Sequence, residues 1–228
     1  MSTQAPITVN DTTSSLPLHL ELLDALDRVV TVRRMPTNDG PQMFWSASNL
    51  ARLPRFFALT DADLRPHPDL APNFVAYLAA LTQAFPGRKA GFALDLTMRD
   101  QFLQGSYAGG KSIAQWEEQF WARSLPTPSD GPPDTLYDAL IDTTFAVYDQ
   151  HANVPDAAGK IAWYLSGVRV GGTFAVTHVP WLCFATTKYV CPAERDFVGT
   201  HKNEWSTTGT LARMNANERG DVCMGARR

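Results

Sequence analysis

Two aspartates separated by a single residue, Asp61 and Asp63, form the pair in this sequence whose spacing is best suited to chemistry. They directly follow the apolar run 56–59, which has the composition of a strand buried on both faces. Carboxylate oxygens are ligands that Mg²⁺ and Mn²⁺ prefer, and such a cation neutralises the charge that collects on a departing diphosphate. The pair therefore has two interpretations: a divalent-cation site at the carboxyl end of a strand, with a nucleotide diphosphate bound through the cation, or acids of a turn, one of them capping the following helix and the other facing solvent.

Further acids are candidates for acid and base chemistry. Transfer of a group from a diphosphate donor to a hydroxyl acceptor with inversion of configuration requires a carboxylate that removes the acceptor's proton. Transfer with retention relies on a differently placed carboxylate or on the leaving phosphate. Asp95 ends a second apolar run, and Asp142 opens a strand-like run. Glu117 lies in a helix-like segment and is favoured over its neighbour Glu118, although charges on such a helix usually form a solvated face. We take Asp95, Asp142 and Glu117 as the candidate catalytic residues.

His178 and Arg169 both belong to the strand-like region 168–179, which Gly171 and Gly172 interrupt, and each has two interpretations. His178 is either a third ligand to the cation or phosphate, or a buried histidine bonded to a backbone carbonyl. Arg169 either pairs with a phosphate or forms an inward-facing ion pair. The sequence leaves both choices open.

A rival phosphate-binding motif occupies residues 105–112. Its spacing, Gly-x-x-x-x-Gly-Lys-Ser, is that of a P-loop, with Lys111 and Ser112 in the last two positions. A true P-loop is fed directly by an apolar strand, whereas residues 98–104 are mostly polar. This context favours a glycine-rich loop on the acceptor side over a phosphate-binding loop.

The elements that must position these residues alternate between strand and helix. Apolar or β-branched runs near residues 7–9, 29–32, 56–59 and 91–94 alternate with helical periodicity after Pro17 and again over 69–85. Alternation of this kind predicts an α/β fold in three layers, with a largely parallel central sheet and helices on both faces. Ligands then collect at the carboxyl ends of the strands. We expect a single catalytic domain over residues 1–206 and a polar tail over 207–228.

Composition excludes several classes of protein. The net charge is −3 and the isoelectric point is near 5.9, so we expect no binding to a nucleic-acid backbone, which usually requires a basic face. Three cysteines form neither an even set nor a metal-binding pair. There is no signal-peptide pattern and no apolar run long enough to span a membrane, so we expect a cytoplasmic protein with no transmembrane segment.

Several segments resemble the family-2-like glycosyltransferases of the GT-A type. The similar segments are 56–66, 89–94, 141–148, 168–172 and 178–181, and the resemblance spans residues 7–206. It implies a Rossmann-like scaffold and transfer of a hexose from a nucleotide-sugar donor, with UDP favoured, to a hydroxyl acceptor. The cofactor implied is Mn²⁺ or Mg²⁺. The family normally has one more strand and helix before the first elements recognised in this chain.

The resemblance also assigns roles to single residues. Asn10 and Asp11 match a turn that faces the nucleotide, in reversed order, and Asn38 and Gly40 match a turn near the diphosphate-sugar. Asp63 is implied as the direct metal ligand, with His178 as a third ligand. Asp61 is implied to bind the metal through water or to hold the ribose. Two alternatives stay open: an inactive nucleotide- or sugar-binding module of the same fold, and another metal-dependent nucleotide-using transferase.

Overall fold

A computed structural model describes residues 5–38, 47–104, 107, 110–127, 135–141, 144–152 and 166–182. The chain divides into two compact units, Met1–Ala51 and Arg52–Arg228. The single domain expected for residues 1–206 stays a prediction, and the expected tail lies outside the described residues. Within the described ranges, no helix has the length and apolar character that crossing a membrane requires.

The first unit is built on two parallel strands connected by a helix. β1 (Thr8–Asp11) pairs with β2 (Thr31–Arg34), and α1 (Pro17–Leu26) connects them. Two neighbouring strands that run parallel need a crossover of this kind, because a hairpin turn would make the second strand antiparallel to the first. A short helix, α2 (Ala47–Leu50), follows. The predicted β-α-β order of this unit is confirmed.

The second unit contains eight strands and two helices among its described residues. In chain order they are β3 (Phe56–Leu59), β4 (Leu64–Arg65), α3 (Phe74–Ala84), β5 (Lys89–Phe92), α4 (Ile113–Glu118), β6 (Ser124–Leu125), β7 (Leu136–Leu140), β8 (Ala146–Asp149), β9 (Ser166–Val170) and β10 (Thr177–His178). Six of the strands form one sheet in the order β3-β8-β5-β9-β7-β6. The remaining two, β4 and β10, form a separate antiparallel pair.

The α/β class is confirmed, but the expected largely parallel sheet is not what the six described strands form. Only β5 and β9 run parallel, whereas the other four neighbouring pairs are antiparallel. The alternation of strands and helices between residues 56 and 94 predicted parallel strands and gave no indication of the antiparallel pairing. A later strand, β8, enters the sheet between β3 and β5, both far away in sequence, and such pairing leaves no local pattern.

The interruption expected at Gly171 and Gly172 in the strand-like region 168–179 is confirmed. The region divides into β9, a 3₁₀ turn at Gly172–Phe174, and β10. Gly172 has a φ of +61°, a left-handed conformation that glycine adopts without strain. The turn redirects the chain from the main sheet to the β4–β10 pair, and this change of sheet brings His178 to β4.

An aromatic core fixes α3 against the middle of the sheet. The ring of Phe92 on β5 lies 5.6 Å from that of Phe74 on α3, 4.7 Å from Phe145 and 6.2 Å from Phe174. Aromatic contacts at these separations add to the stabilisation from buried area. The carboxyl end of β5 is therefore held rigidly, and Asp95 follows three residues later.

Two glycines let neighbouring strands and loops approach closely. A Cβ on Gly91 would lie 2.2 Å from the backbone oxygen of Phe145 and 2.9 Å from the Cα of Ala146. A Cβ on Gly167 would instead lie 2.6 Å from side-chain atoms of Ile141. Backbone cannot move without breaking the β5–β8 pairing, whereas the Ile141 side chain can change rotamer. The two positions therefore differ in how much they tolerate a side chain.

We predict that Gly91→Ala lowers the free energy of unfolding by about 3 kcal/mol or more, and Gly167→Ala by about 1–2 kcal/mol, because overpacking costs most where backbone must move. Urea unfolding measures both. Adding Ile141→Val should recover part of the loss in Gly167→Ala but none of the loss in Gly91→Ala. Equal losses at the two glycines, or equal recovery by Ile141→Val, would contradict this explanation.

Candidate functional site

Pairing of β4 with β10 brings together residues far apart in sequence. His178 lies opposite Leu64 in this antiparallel pair, and the backbone N–H of Val179 donates to the carbonyl oxygen of Asp63 at 3.0 Å. The imidazole Nε2 of His178 consequently lies 3.6 Å from a carboxylate oxygen of Asp63. The acids after β3 and the histidine of the distant run 168–179 thus share one location.

The opposite side of the same segment is bonded to the end of β5. Leu94 forms an isolated parallel bridge with Val176. Val176 donates its N–H to the oxygen of Ala93 at 2.9 Å, and Asp95 donates its N–H to the oxygen of Val176 at 2.8 Å. Neighbouring strands lie about 4.8 Å apart. Asp95 and Asp63 therefore flank a single intervening stretch of chain, with backbones roughly 10 Å apart.

Burial keeps the His178 imidazole neutral. Its side chain is 10% exposed, and its pKa falls to about 4 because burial disfavours the charged ring, while the nearby Asp61 charge acts in the opposite direction. The ring also contacts the ring of Trp181, with centroids 4.8 Å apart. A neutral imidazole has a lone pair for a metal ion, which a protonated one lacks.

The two aspartates differ in their surroundings. Asp63 has a side chain that is 45% exposed, and partial burial raises its pKa. Asp61 is half-buried, and its carboxylate is near enough to His178 to affect the imidazole electrostatically. Among the described residues, no group of three or more His, Cys, Asp and Glu side chains is preassembled for a metal ion. The donors fit a hard divalent cation in type, since they combine carboxylate oxygens with one imidazole nitrogen.

Asp95 uses both carboxylate oxygens within its own loop. One oxygen accepts from the backbone N–H of Thr97 at 2.8 Å, and the other accepts from the Thr97 hydroxyl at 2.7 Å. Such an Asx turn fixes the loop that follows β5. The catalytic role proposed for Asp95 stays a prediction.

Glu117 lies inside the protein, not on a solvated face. It is 1% exposed and forms an ion pair with Arg169, which is 3% exposed. Burial raises the pKa of Glu117 to about 7, and the Arg169 charge, together with the nearby backbone of Leu94 and the Trp121 side chain, opposes the rise. Of the two interpretations of Arg169, the structure supports the inward-facing ion pair. The catalytic role of Glu117 remains a prediction, although burial with a fixed partner limits access to an acceptor.

The residues assigned to the nucleotide belong to the first unit. Asn10 and Asp11 form the end of β1, where Asp11 is buried and its carboxylate accepts from the backbone N–H of Ser14 at 2.9 Å. Asn38 is exposed. Gly40 and the candidate catalytic Asp142 lie outside the described residues. The nucleotide-binding roles of all these residues stay predictions.

The P-loop interpretation loses its structural context. Instead of an apolar strand, a 3₁₀ turn at Arg99–Gln101 and a single bridge at Phe102 precede the glycine-rich segment. Ser112 caps the six-residue helix α4 through reciprocal hydrogen bonds with Gln115. The Lys111 ammonium lies 6.0 Å from the centre of the Trp116 ring. Residues 105, 106, 108 and 109 lie outside the described ranges.

One residue near the site, Arg65, was not singled out from the sequence, and another, Trp181, had two interpretations. Arg65 is an exposed cation on β4, two residues beyond Asp63, and its guanidinium lies 4.0 Å from the Met98 sulfur. Trp181 is 4% exposed and packs between His178 and Phe102. The position of Arg65, two residues after Asp63 in the sequence, could have indicated a cation near the acidic pair. For Trp181 the sequence allowed stacking on a sugar or base but favoured core packing, and its burial supports core packing.

Comparison of the chain with protein-family models, with curated proteins and with solved structures found no match. The resemblance to GT-A glycosyltransferases therefore depends on the similar segments of the sequence alone.

We predict that His178 makes the metal-free protein less stable as the pH falls from about 6.5 to about 4. In this window the unfolded chain binds a proton at His178 and the folded chain does not, so protonation favours unfolding. The full effect is about 3 kcal/mol, because each pKa unit is worth about 1.4 kcal/mol. Urea unfolding at several pH values in the presence of a chelator measures it.

The comparison that isolates His178 is between the wild type and His178→Gln. Asp63, whose pKa is raised, stabilises the fold as the pH falls, so the wild-type slope alone mixes two contributions. His178→Gln should flatten the loss at low pH. The matched control is His67→Gln, because the His67 side chain is 40% exposed. Identical pH slopes in the wild type and His178→Gln would refute the prediction.

Proposed function

We propose that this protein is a metal-dependent glycosyltransferase that moves a sugar from a nucleotide-diphosphate donor, with UDP favoured, to a hydroxyl acceptor. The cation is held by Asp61 and Asp63, with His178 as a further ligand. The observation that carries the proposal is the 3.6 Å approach of His178 to Asp63. The three side chains whose types suit a divalent cation, Asp61, Asp63 and His178, lie around the β4–β10 pair.

The chemistry of the donors supports the proposal. The low pKa of His178 keeps its imidazole neutral at physiological pH, so that no proton competes for the nitrogen. The Asp63 carboxylate is partly exposed and able to reach a ligand in solvent. A bound divalent cation supplies charge neutralisation at the diphosphate leaving group. Removal of one proton from the acceptor hydroxyl then requires a base, for which Asp95 and Asp142 are the candidates.

The scaffold that accompanies this proposal is a GT-A-like variant. Its support is the location of the acids directly after an apolar strand, beside a small β4–β10 pair that carries His178. The mostly antiparallel main sheet sets this chain apart from a simple doubly wound arrangement. Support for the proposal therefore comes from the site and not from the order of the strands.

Metal-dependent nucleotide binding tests the function directly. Isothermal titration with UDP in the presence of Mn²⁺ should give binding that a chelator abolishes. Asp63→Ala should weaken the Mn²⁺-dependent affinity by about 100-fold or more, because a direct ligand is lost. The fold should persist, since removing one of two neighbouring carboxylates relieves repulsion when no metal is bound.

The matched control is Asp69→Ala, because Asp69 is another acid near the same strand pair with an 81% exposed side chain. It should leave the affinity for UDP and Mn²⁺ unchanged. Tight UDP binding that neither the chelator nor Asp63→Ala affects would point instead to a metal-independent binding module. ATP binding that is lost in Lys111→Ala would favour a phosphotransferase.

A further inference from the structure

We propose that Glu117 is a positioning residue for the Asp63–His178 pair: with Arg169 it locks the ends of β5 and β9 together, and these ends carry the chain segment that places His178. The ligand chosen for the binding test rests on the proposed function. The positioning is a property of the fold and is tested separately.

Glu117 and Arg169 form the link between helix α4 and the sheet. Both residues are almost completely buried, and the guanidinium Nη1 pairs with the carboxylate Oε1. Removing two charges from water is costly, and their attraction repays this only when the geometry is fixed and further partners are present. The backbone N–H of Leu94, at the end of β5, also favours the ionised carboxylate. Helix α4 is therefore anchored at the point where β5 leaves the main sheet.

Backbone hydrogen bonds extend from this anchor to the candidate site. Leu94 bridges Val176, and the flanking residues exchange hydrogen bonds of 2.8 and 2.9 Å with Val176. His178 follows two residues later, and Val179 donates to the Asp63 oxygen at 3.0 Å. Since each bond fixes the register of the next, a shift of Leu94 changes the separation of His178 and Asp63.

Arg169 fixes the same segment from its other end. Its Nε donates to the carbonyl oxygen of Leu140 at 2.6 Å, and its guanidinium carbon lies 4.4 Å from the centre of the Phe120 ring. β9 ends at Val170, and the chain then passes through Gly171 to the bridge at Val176. The ion pair consequently holds both strands whose extensions meet at the site.

The next residue of α4, Glu118, forms its ion pair at the protein surface. Glu118 pairs with Arg99 at 3.0 Å, with side chains that are 48% and 61% exposed. An exposed pair of this kind contributes little to stability or geometry. Glu118 and Arg99 therefore provide a matched control, since they form an ion pair from the same helix without the buried connections.

The informative variant replaces both partners, Glu117→Leu with Arg169→Met. Replacing both members of a buried pair by apolar residues of similar volume usually preserves the fold, whereas removing one leaves an uncompensated charge. Amide hydrogen exchange is measured in wild type, in this double variant and in the control Glu118→Gln with Arg99→Gln. We expect exchange about 10-fold faster or more at residues 94–95 and 176–179 of the Glu117 double variant, and unchanged at Phe57–Leu59. The control should match wild type.

The second readout is the affinity for UDP in the presence of Mn²⁺, which should fall about 10-fold to 100-fold in the Glu117 double variant, as for other residues that orient metal ligands. Glu117→Gln keeps an acceptor for Arg169 and Leu94, and should lose less than about 10-fold. A catalytic base would instead leave UDP affinity unchanged in every variant. If the wild type binds UDP, an unchanged affinity in the Glu117 double variant would therefore overturn the positioning role.

Amide hydrogen exchange tests the positioning role of Glu117 whether or not the protein is a glycosyltransferase. Unchanged exchange at residues 94–95 and 176–179 in a folded double variant would overturn the proposal. Equal acceleration throughout the sheet would also overturn it, because that pattern indicates general destabilisation. Local acceleration in a protein that binds no UDP would support the positioning role and refute the glycosyltransferase. If the double variant does not fold, Glu117→Gln takes its place, with a smaller acceleration expected at the same residues because an acceptor for Arg169 and Leu94 remains, and no acceleration at these residues would overturn the proposal.

Discussion

The short backbone ladder through residues 176–179 is the constraint on which the candidate site depends. This stretch bonds to residues 93–95 on one side and to residues 63–65 on the other. Acids that follow two different strands and a histidine from a third element are brought together by it. Backbone hydrogen bonds of this kind are specific in register, and a slip of one residue would turn His178 away from Asp63.

Buried charge is the second organising feature of the main sheet. Glu117 pairs with Arg169, and the buried carboxylate of Asp149 at the end of β8 accepts two hydrogen bonds, at 3.1 and 3.0 Å, from the half-exposed Arg55 guanidinium. The fully buried Lys89 donates to the Tyr148 hydroxyl at 3.1 Å. Such pairs contribute little net stability compared with apolar packing, but their directionality fixes which groups are adjacent. In this protein they lie where strands begin or leave the sheet.

The electrostatics of the site follow from partial burial. His178 is enclosed by Trp181 and the β4–β10 pair, so its imidazole is neutral and able to act as a ligand. Asp63 stays near the surface, where a charged ligand can reach it. This division between a buried nitrogen and an accessible carboxylate suits a cation that must bind the protein on one side and a phosphate on the other.

The sequence by itself determined the local elements and the types of residue at the site. The apolar runs and helical periodicity were sufficient for β1, α1, β2, β3, α3 and β5, because these patterns reflect which faces are buried. The Asp61–Asp63 spacing and its place after a strand were also legible. They require only that an apolar strand end where polar residues begin.

Only the tertiary structure decided the direction of the strands, the change of sheet within region 168–179 and the burial of Glu117. Each depends on contacts between residues far apart in the chain: β8 enters between β3 and β5, the turn at Gly172 redirects the chain to β4, and Arg169 lies 52 residues from its partner. A helix-borne glutamate looks the same in sequence whether it faces solvent or a buried arginine. Its environment is set by long-range packing, which local periodicity does not encode.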